Sequence, residues 1–131
     1  MSWDGVSGGR EVTPAHVLAG REERAARQRA MLAKGGRCLI SFSLNIAGPI
    51  KQFPLARYGF QEGLQALTAL LPPPLEQKVR HLDTGSEALL LLDMDPEHAK
   101  RAAMSLEEGH ALGRLFDADV LDSRGAGLSR T

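Results

Sequence analysis

The 131-residue chain has a single cysteine, no apolar run of membrane-spanning length and no excess of charge of either sign. Each scarcity excludes something. Cys38 has no partner within the chain, so no internal disulfide braces the fold, and its place in an apolar run reads as an inert buried thiol rather than a reactive one. The opening MSWDGVSGGREV lacks the apolar centre of a secretion signal, and a helix needs about 20 apolar residues to span a bilayer. A cytoplasmic protein without a membrane partner is the expectation. Sixteen Lys and Arg balance sixteen Asp and Glu, which removes any general attraction to nucleic acid or an anionic surface. A small anionic ligand needs only a local cluster of charge. Internal repeats and low-complexity segments are also missing.

What is present is an ordinary globular composition, 43% hydrophobic, in a chain long enough for one domain with a single core. Residues 1–12 read as a flexible tail and 13–131 as the domain. Thr13 and Pro14 open a helix rich in Ala, Glu and Arg, which Gly35–Gly36 stops near Lys34. RCLISFSLNIAG reads as a central strand, GPIKQFP as a loop, and PLARYGFQEGLQALTALL as a second helix ended by Pro72–Pro74. Two strands follow, about 76–82 and 87–93, turning at Thr84-Gly85-Ser86. Asp95 and Pro96 start a third helix that ends near Gly109. GRLFDADVLD is the next strand, and GLSRT after the SRGAG turn begins a returning one. The order α-β-α-β-β-α-β-β implies an α+β fold, with helices packed on one mixed sheet. The chain stops at Thr131 with its last strand barely formed, and we expect a C-terminal truncation.

The most informative stretch is GHALGRLFDADV. Alternation along a strand puts Asp117 and Asp119 on one face, with Leu115, and puts Phe116, Ala118 and Val120 on the other. Two like charges at this spacing repel, and desolvating both is unfavourable. A divalent cation removes both penalties, and Mg²⁺ takes one or two carboxylates together with waters and substrate phosphates. That is the arrangement of phosphoryl or nucleotidyl transfer. Taken alone, D-x-D is short and common, and solvated aspartates on an exposed strand are its more frequent meaning. Its neighbours add to it. Arg114 offers a fork to a phosphate, Gly113 permits close backbone approach, and His110 is either a base or a helix-end histidine favoured by the dipole. In the GPIK loop, Gly48 shapes the backbone and Lys51 is either a phosphate ligand or a solvated lysine. Arg24 and Arg27 share a helix face, where pairing with nearby glutamates competes with phosphate binding.

Read together, REERAARQ at 21–28, ISFSLNIAGPIK at 40–51 and GHALGRLFDADVLD at 109–122 resemble the holo-acyl carrier protein synthases of citrate lyase, the apo-citrate lyase phosphoribosyl-dephospho-CoA transferase family. The similarity runs in order from about residue 13 to the end. It implies a loosely nucleotidyltransferase-like enzyme whose donor is 2′-(5″-triphosphoribosyl)-3′-dephospho-CoA. The acceptor would be a serine of the citrate lyase acyl carrier protein, with pyrophosphate released. Asp117 and Asp119 would hold Mg²⁺ against the triphosphate, with Arg114, Lys51 and Arg24 offsetting phosphate charge. The matching transferase for malonate decarboxylase and a non-catalytic carrier-binding assembly factor are the alternatives. Two departures stand out. Members of the family run on into a short cysteine-containing tail, and typical nucleotidyltransferases place Gly-Ser shortly before the paired acids. Here Gly85–Ser86 is separated from Asp117 by a strand and a helix.

Overall fold

The computed structural model describes residues 15–44, 54–82 and 85–128. Helix α1 (Ala15–Leu32) leads to strand β1 (Cys38–Leu44), then helix α2 (Pro54–Ala69). The β2–β3 hairpin (Glu76–Leu82 and Gly85–Leu92) precedes helix α3 (Pro96–Gly109) and strand β4 (Phe116–Asp122). The expected tail at 1–12 and the GPIK loop lie outside the described residues. No helix among the described residues is long and apolar enough to cross a membrane.

The ends follow from local chemistry. Gly35 and Gly36 both take positive φ, 90° and 140°, where residues with a Cβ are strained, so α1 cannot continue. Asp95 caps α3, its carboxylate accepting from the His98 N–H at 3.3 Å, and Pro96 occupies the first turn, where its missing N–H is harmless. Gly85 and Ser86 belong to β3 rather than to the turn in which the sequence places them, since Leu82 pairs with Gly85 and Ser86 with His81.

The strands order β2-β3-β1-β4. The fold is α+β as expected, but each pairing is antiparallel, so the sheet is not mixed. Only the β2–β3 hairpin joins strands adjacent in the sheet; the helical crossovers β1–α2–β2 and β3–α3–β4 each join strands that run the same way with one antiparallel strand between them. The returning strand amounts to one bridge, Leu121 to Gly127, because a tight turn centred on Asp122 uses up the preceding residues. The strand expected from Gly113 also begins later. Gly113–Leu115 form a 3₁₀ turn, so Leu115 does not share a strand face with the aspartates.

One sheet face carries the main core. Ile40 and Phe42 of β1, Leu90 and Leu92 of β3, and Phe116 and Val120 of β4 pack under Phe60, Leu64 and Leu67 of α2 and Ala99, Ala103 and Leu106 of α3. Gly63 lets α2 close onto this layer, since a Cβ there would lie 2.4 Å from the Phe116 ring. The opposite face is split. Its lower half is a small core of Leu39, Leu89, Leu91 and Leu121 beneath Met31 of α1. Its upper half is polar, and the candidate site lies there.

Candidate functional site

Register builds the polar half row by row. Arg80 of β2 pairs with Glu87 of β3, Glu87 with Ser43 of β1, and Ser43 with Asp117 of β4. In the next row Ser41 stands between Leu89 and Asp119. Directly paired residues share a face, so Asp117, Asp119, Ser41, Ser43 and Glu87 all belong to the side covered by α1. Asp117 is half-buried and Asp119 exposed. Their α-carbons stand about 7 Å apart by strand geometry, and their side chains rise on the same side.

Helix α1 supplies cations above this surface. Arg27 grips Glu87 with two bonds, Nε to Oε1 and Nη2 to Oε2, each 3.1 Å. Arg24 Nε lies 3.5 Å from Glu87 Oε2. The Glu87 side chain is only 6% exposed, and a carboxylate so buried must be paired. The first-helix arginines therefore do not merely pair with glutamates on their own helix. One turn beyond Arg24, Gln28 lines a cavity of about 240 Å³ together with Asp119, Leu121, Leu128 and the α3 residues Lys100 and Met104. The ammonium of Lys100 is 3.0 Å from Glu97, and its side chain is 18% exposed.

The structure brings Asp117, Asp119 and Arg24 to one side of the sheet and keeps His110 away from them. His110 is the C-cap of α3. Its Nδ1 accepts from the Leu112 N–H at 3.0 Å, and its ring packs on Phe116 at a centroid distance of 5.0 Å. Phe116 points into the α2–α3 core, opposite to Asp117. Gly113 is buried, and the close approach its missing side chain permits is to α3: a Cβ would lie 1.9 Å from the Glu107 carbonyl oxygen. Arg114 is exposed in the 3₁₀ turn just before β4. Gly48 and Lys51 lie outside the described residues. Ser86, on the face opposite Glu87, has its hydroxyl 2.9 Å from His81 Nδ1, with β1 between it and the acid strand.

The residues that sequence reasoning missed are Glu87, Ser41, Ser43, Gln28 and Lys100. Ser41 and Ser43 carried a signal, because they alternate with Ile40, Phe42 and Leu44 and so mark a polar face. Glu87 carried none, since its partner Arg27 is 60 residues away.

Among the described residues no three His, Cys, Asp or Glu side chains stand close enough to cage an ion. The acid pair fits a different kind of metal site. A hard, strongly hydrated cation such as Mg²⁺ needs one or two carboxylates and completes its shell with water and substrate oxygens. Asp117 and Asp119 are the residues that would hold it.

Comparison with known proteins follows the same segments. The model of the family described as apo-citrate lyase phosphoribosyl-dephospho-CoA transferase matches residues 12–131. A protein named CitXG from Haemophilus influenzae is 35% identical over 127 residues, 94% of this chain and 27% of its own length. The apo-citrate lyase phosphoribosyl-dephospho-CoA transferase of Citrobacter koseri is 38% identical over 118 residues, 87% of this chain and 64% of its own length. The protein of the same name from Escherichia coli O1:K1 / APEC matches to the same extent. The chain thus spans less than two thirds of the length of each of these relatives.

Proposed function

The chain belongs to the apo-citrate lyase phosphoribosyl-dephospho-CoA transferase family, and from that premise we propose that it loads the citrate lyase acyl carrier protein with its prosthetic group. The donor is 2′-(5″-triphosphoribosyl)-3′-dephospho-CoA and the acceptor a serine hydroxyl of the carrier. The serine oxygen bonds to the phosphorus nearest the ribose, the bond from that phosphorus to the bridging oxygen breaks, and pyrophosphate leaves with the electron pair. The serine proton passes to a base other than His110, which sits on the far side of the sheet. The protein acts in the cytoplasm.

The observation that carries this reading is convergence: Arg24 of α1, the serines of β1 and the aspartates of β4 lie on one side of the sheet although 76 to 95 residues of chain separate β1 and α1 from the last of them. Polyphosphate transfer is mostly positioning and charge stabilisation, and this surface sets acids and guanidinium groups side by side. Bound Mg²⁺ would neutralise phosphate charge and stabilise the leaving pyrophosphate. Asp117 and Asp119 would orient the ion. Arg24 and the exposed Arg114 would bind phosphate oxygens as bidentate forks, and Lys51 would add a point charge.

Intact mass of the apo-carrier protein after incubation with the donor tests the proposal. The carrier gains the mass of the prosthetic group with Mg²⁺ and not with chelator. Asp117→Asn lowers the rate at least about 100-fold while the fold persists, a loss of the order seen when one transition-state contact is removed. Gain only by the malonate decarboxylase carrier reassigns the acceptor. No gain by either carrier, with binding retained, favours an assembly factor and overturns catalysis.

A further inference from the structure

Glu87 has no evident reason to be charged. It continues a column on β3 whose next members on the same face, Leu89 and Leu91, pack against Met31 of α1. A third leucine would extend that packing. Instead the position holds a carboxylate that is 6% exposed and needs two arginines. Buried ion pairs seldom stabilise a protein more than well-packed apolar side chains do. What such a pair supplies is fixed geometry.

The two arginines are held differently. Arg27 spends both Nε and Nη2 on the carboxylate, and its side chain is 25% exposed. Arg24 brings Nε to 3.5 Å from Oε2, and its side chain is 53% exposed. Arg80, paired across the strands with Glu87, adds a third guanidinium on the same face. One carboxylate is thus ion-paired with two arginines, with a third beside it in register. Arg24 and Gln28 are one helical turn apart and so lie on one side of α1; Gln28 shares its cavity with Asp119. The partly exposed guanidinium therefore stands on the same side of α1 as Gln28, whose cavity reaches Asp119.

We propose that Glu87 is a positioning residue for polyphosphate: it locks Arg27 and, through Oε2, aims the Arg24 guanidinium at phosphate oxygens held beside Asp119. This rests on the transferase reading for the identity of the ligand as the donor's triphosphate. Glu87 itself touches no substrate.

The sign of one measurement separates positioning from mere charge balance. The probe is inorganic tripolyphosphate with Mg²⁺, titrated calorimetrically into the full chain. If Glu87 only neutralises arginines, Glu87→Gln raises affinity for the polyanion. If it positions Arg24, Glu87→Gln lowers affinity about tenfold or more, the scale of one lost charge-assisted hydrogen bond. In carrier loading the same variant raises KM for the donor more than it lowers kcat, and Glu87→Asp recovers part of the loss. Affinity equal to or above that of the unsubstituted protein overturns the proposal.

Should Glu87→Gln fail to fold, the exposed Arg24 gives the second test. Lysine keeps the charge but not the planar fork. Arg24→Lys is expected to lose as much affinity as Arg24→Gln; if it binds like the unsubstituted protein, aim is irrelevant and the proposal falls. Failure of the unsubstituted protein to bind tripolyphosphate also sinks it, whereas the transferase reading stands or falls separately on the carrier's mass.

Discussion

At Gly113 a methyl group would stand 1.9 Å from the Glu107 carbonyl oxygen and 2.6 Å from its carbon. Both atoms are backbone, so neither can swing aside. Gly113→Ala must push the 3₁₀ turn away from α3, and overpacking of this kind costs about 1–3 kcal/mol. We expect Tm to fall by roughly 5–10 °C, measured by thermal unfolding, and, under the proposed function, carrier loading to slow because β4 follows directly. An unchanged Tm would mean that the end of α3 yields freely. Cys38 lies at the other extreme of accessibility. Burial pushes its thiol up to about 11, with Arg37 opposing weakly. Because the thiolate is the reactive form, a maleimide at pH 7.5 should label the native protein at least roughly tenfold more slowly than the urea-unfolded chain. Equal rates would contradict the burial of Cys38. At this scale the sequence reveals what lies within a few residues. The Asp117–Asp119 pair and Cys38 are legible because alternation and an apolar neighbourhood are local properties. The grip of Arg27 on Glu87 is not, because nothing near SEALLLL names a partner in α1.

Among the elements, the turn after β4 holds the edge of the site. Asp122 Oδ1 accepts from the Arg124 N–H at 2.9 Å and the Ala126 N–H at 3.0 Å. Gly125 takes φ 86°, and the Leu128 N–H then reaches the Val120 carbonyl at 2.9 Å. The Ala126 bond, with that of Arg124 next, holds the Asp122 carboxyl below its ordinary range. A depressed folded value stabilises the turn above the unfolded value of 3.8, and that stabilisation is lost as pH falls through the folded value. We expect the protection factors of the Ala126 and Leu128 amides to fall selectively on acidification below about pH 4, while β1 stays protected. Asp122→Asn should weaken the pH dependence, and a pH-independent turn would refute the assignment. Element ends were legible wherever Pro, Gly or Asp enforced them, as at Gly35, Pro72 and Asp95. They were not where packing decided: Gly113–Leu115 has apolar strand character but curls because Gly113 docks on α3. The last strand shrank to a bridge because the Asp122 turn claims the residues before it.

For the molecule as a whole, stability resides in the α2–α3 side of the sheet. Phe42 is fully buried at the centre, with its ring 5.6 Å from Phe60 and 5.3 Å from Phe116. Phe42→Ala removes the shared member of both pairs and should cost about 3–5 kcal/mol, a large share of a typical domain's total. Urea unfolding checks this as a lower midpoint with an unchanged slope; a loss under about 1 kcal/mol would mean that the cavity collapses. The acid pair is spared directly, since Phe42 and Asp117 occupy opposite faces. The α+β class was readable from the order of elements, yet strand order was not. β1 lies between β3 and β4, and only this placement sets Ser43 between Glu87 and Asp117.

Among the described residues the same order leaves β4 outermost, tied by a full ladder to β1, with Gly127 and Leu128 touching the far end of its outer margin. The aspartates thus stand at a kerb rather than down a well. Under the proposed transfer, the acceptor serine would come in along this outer margin.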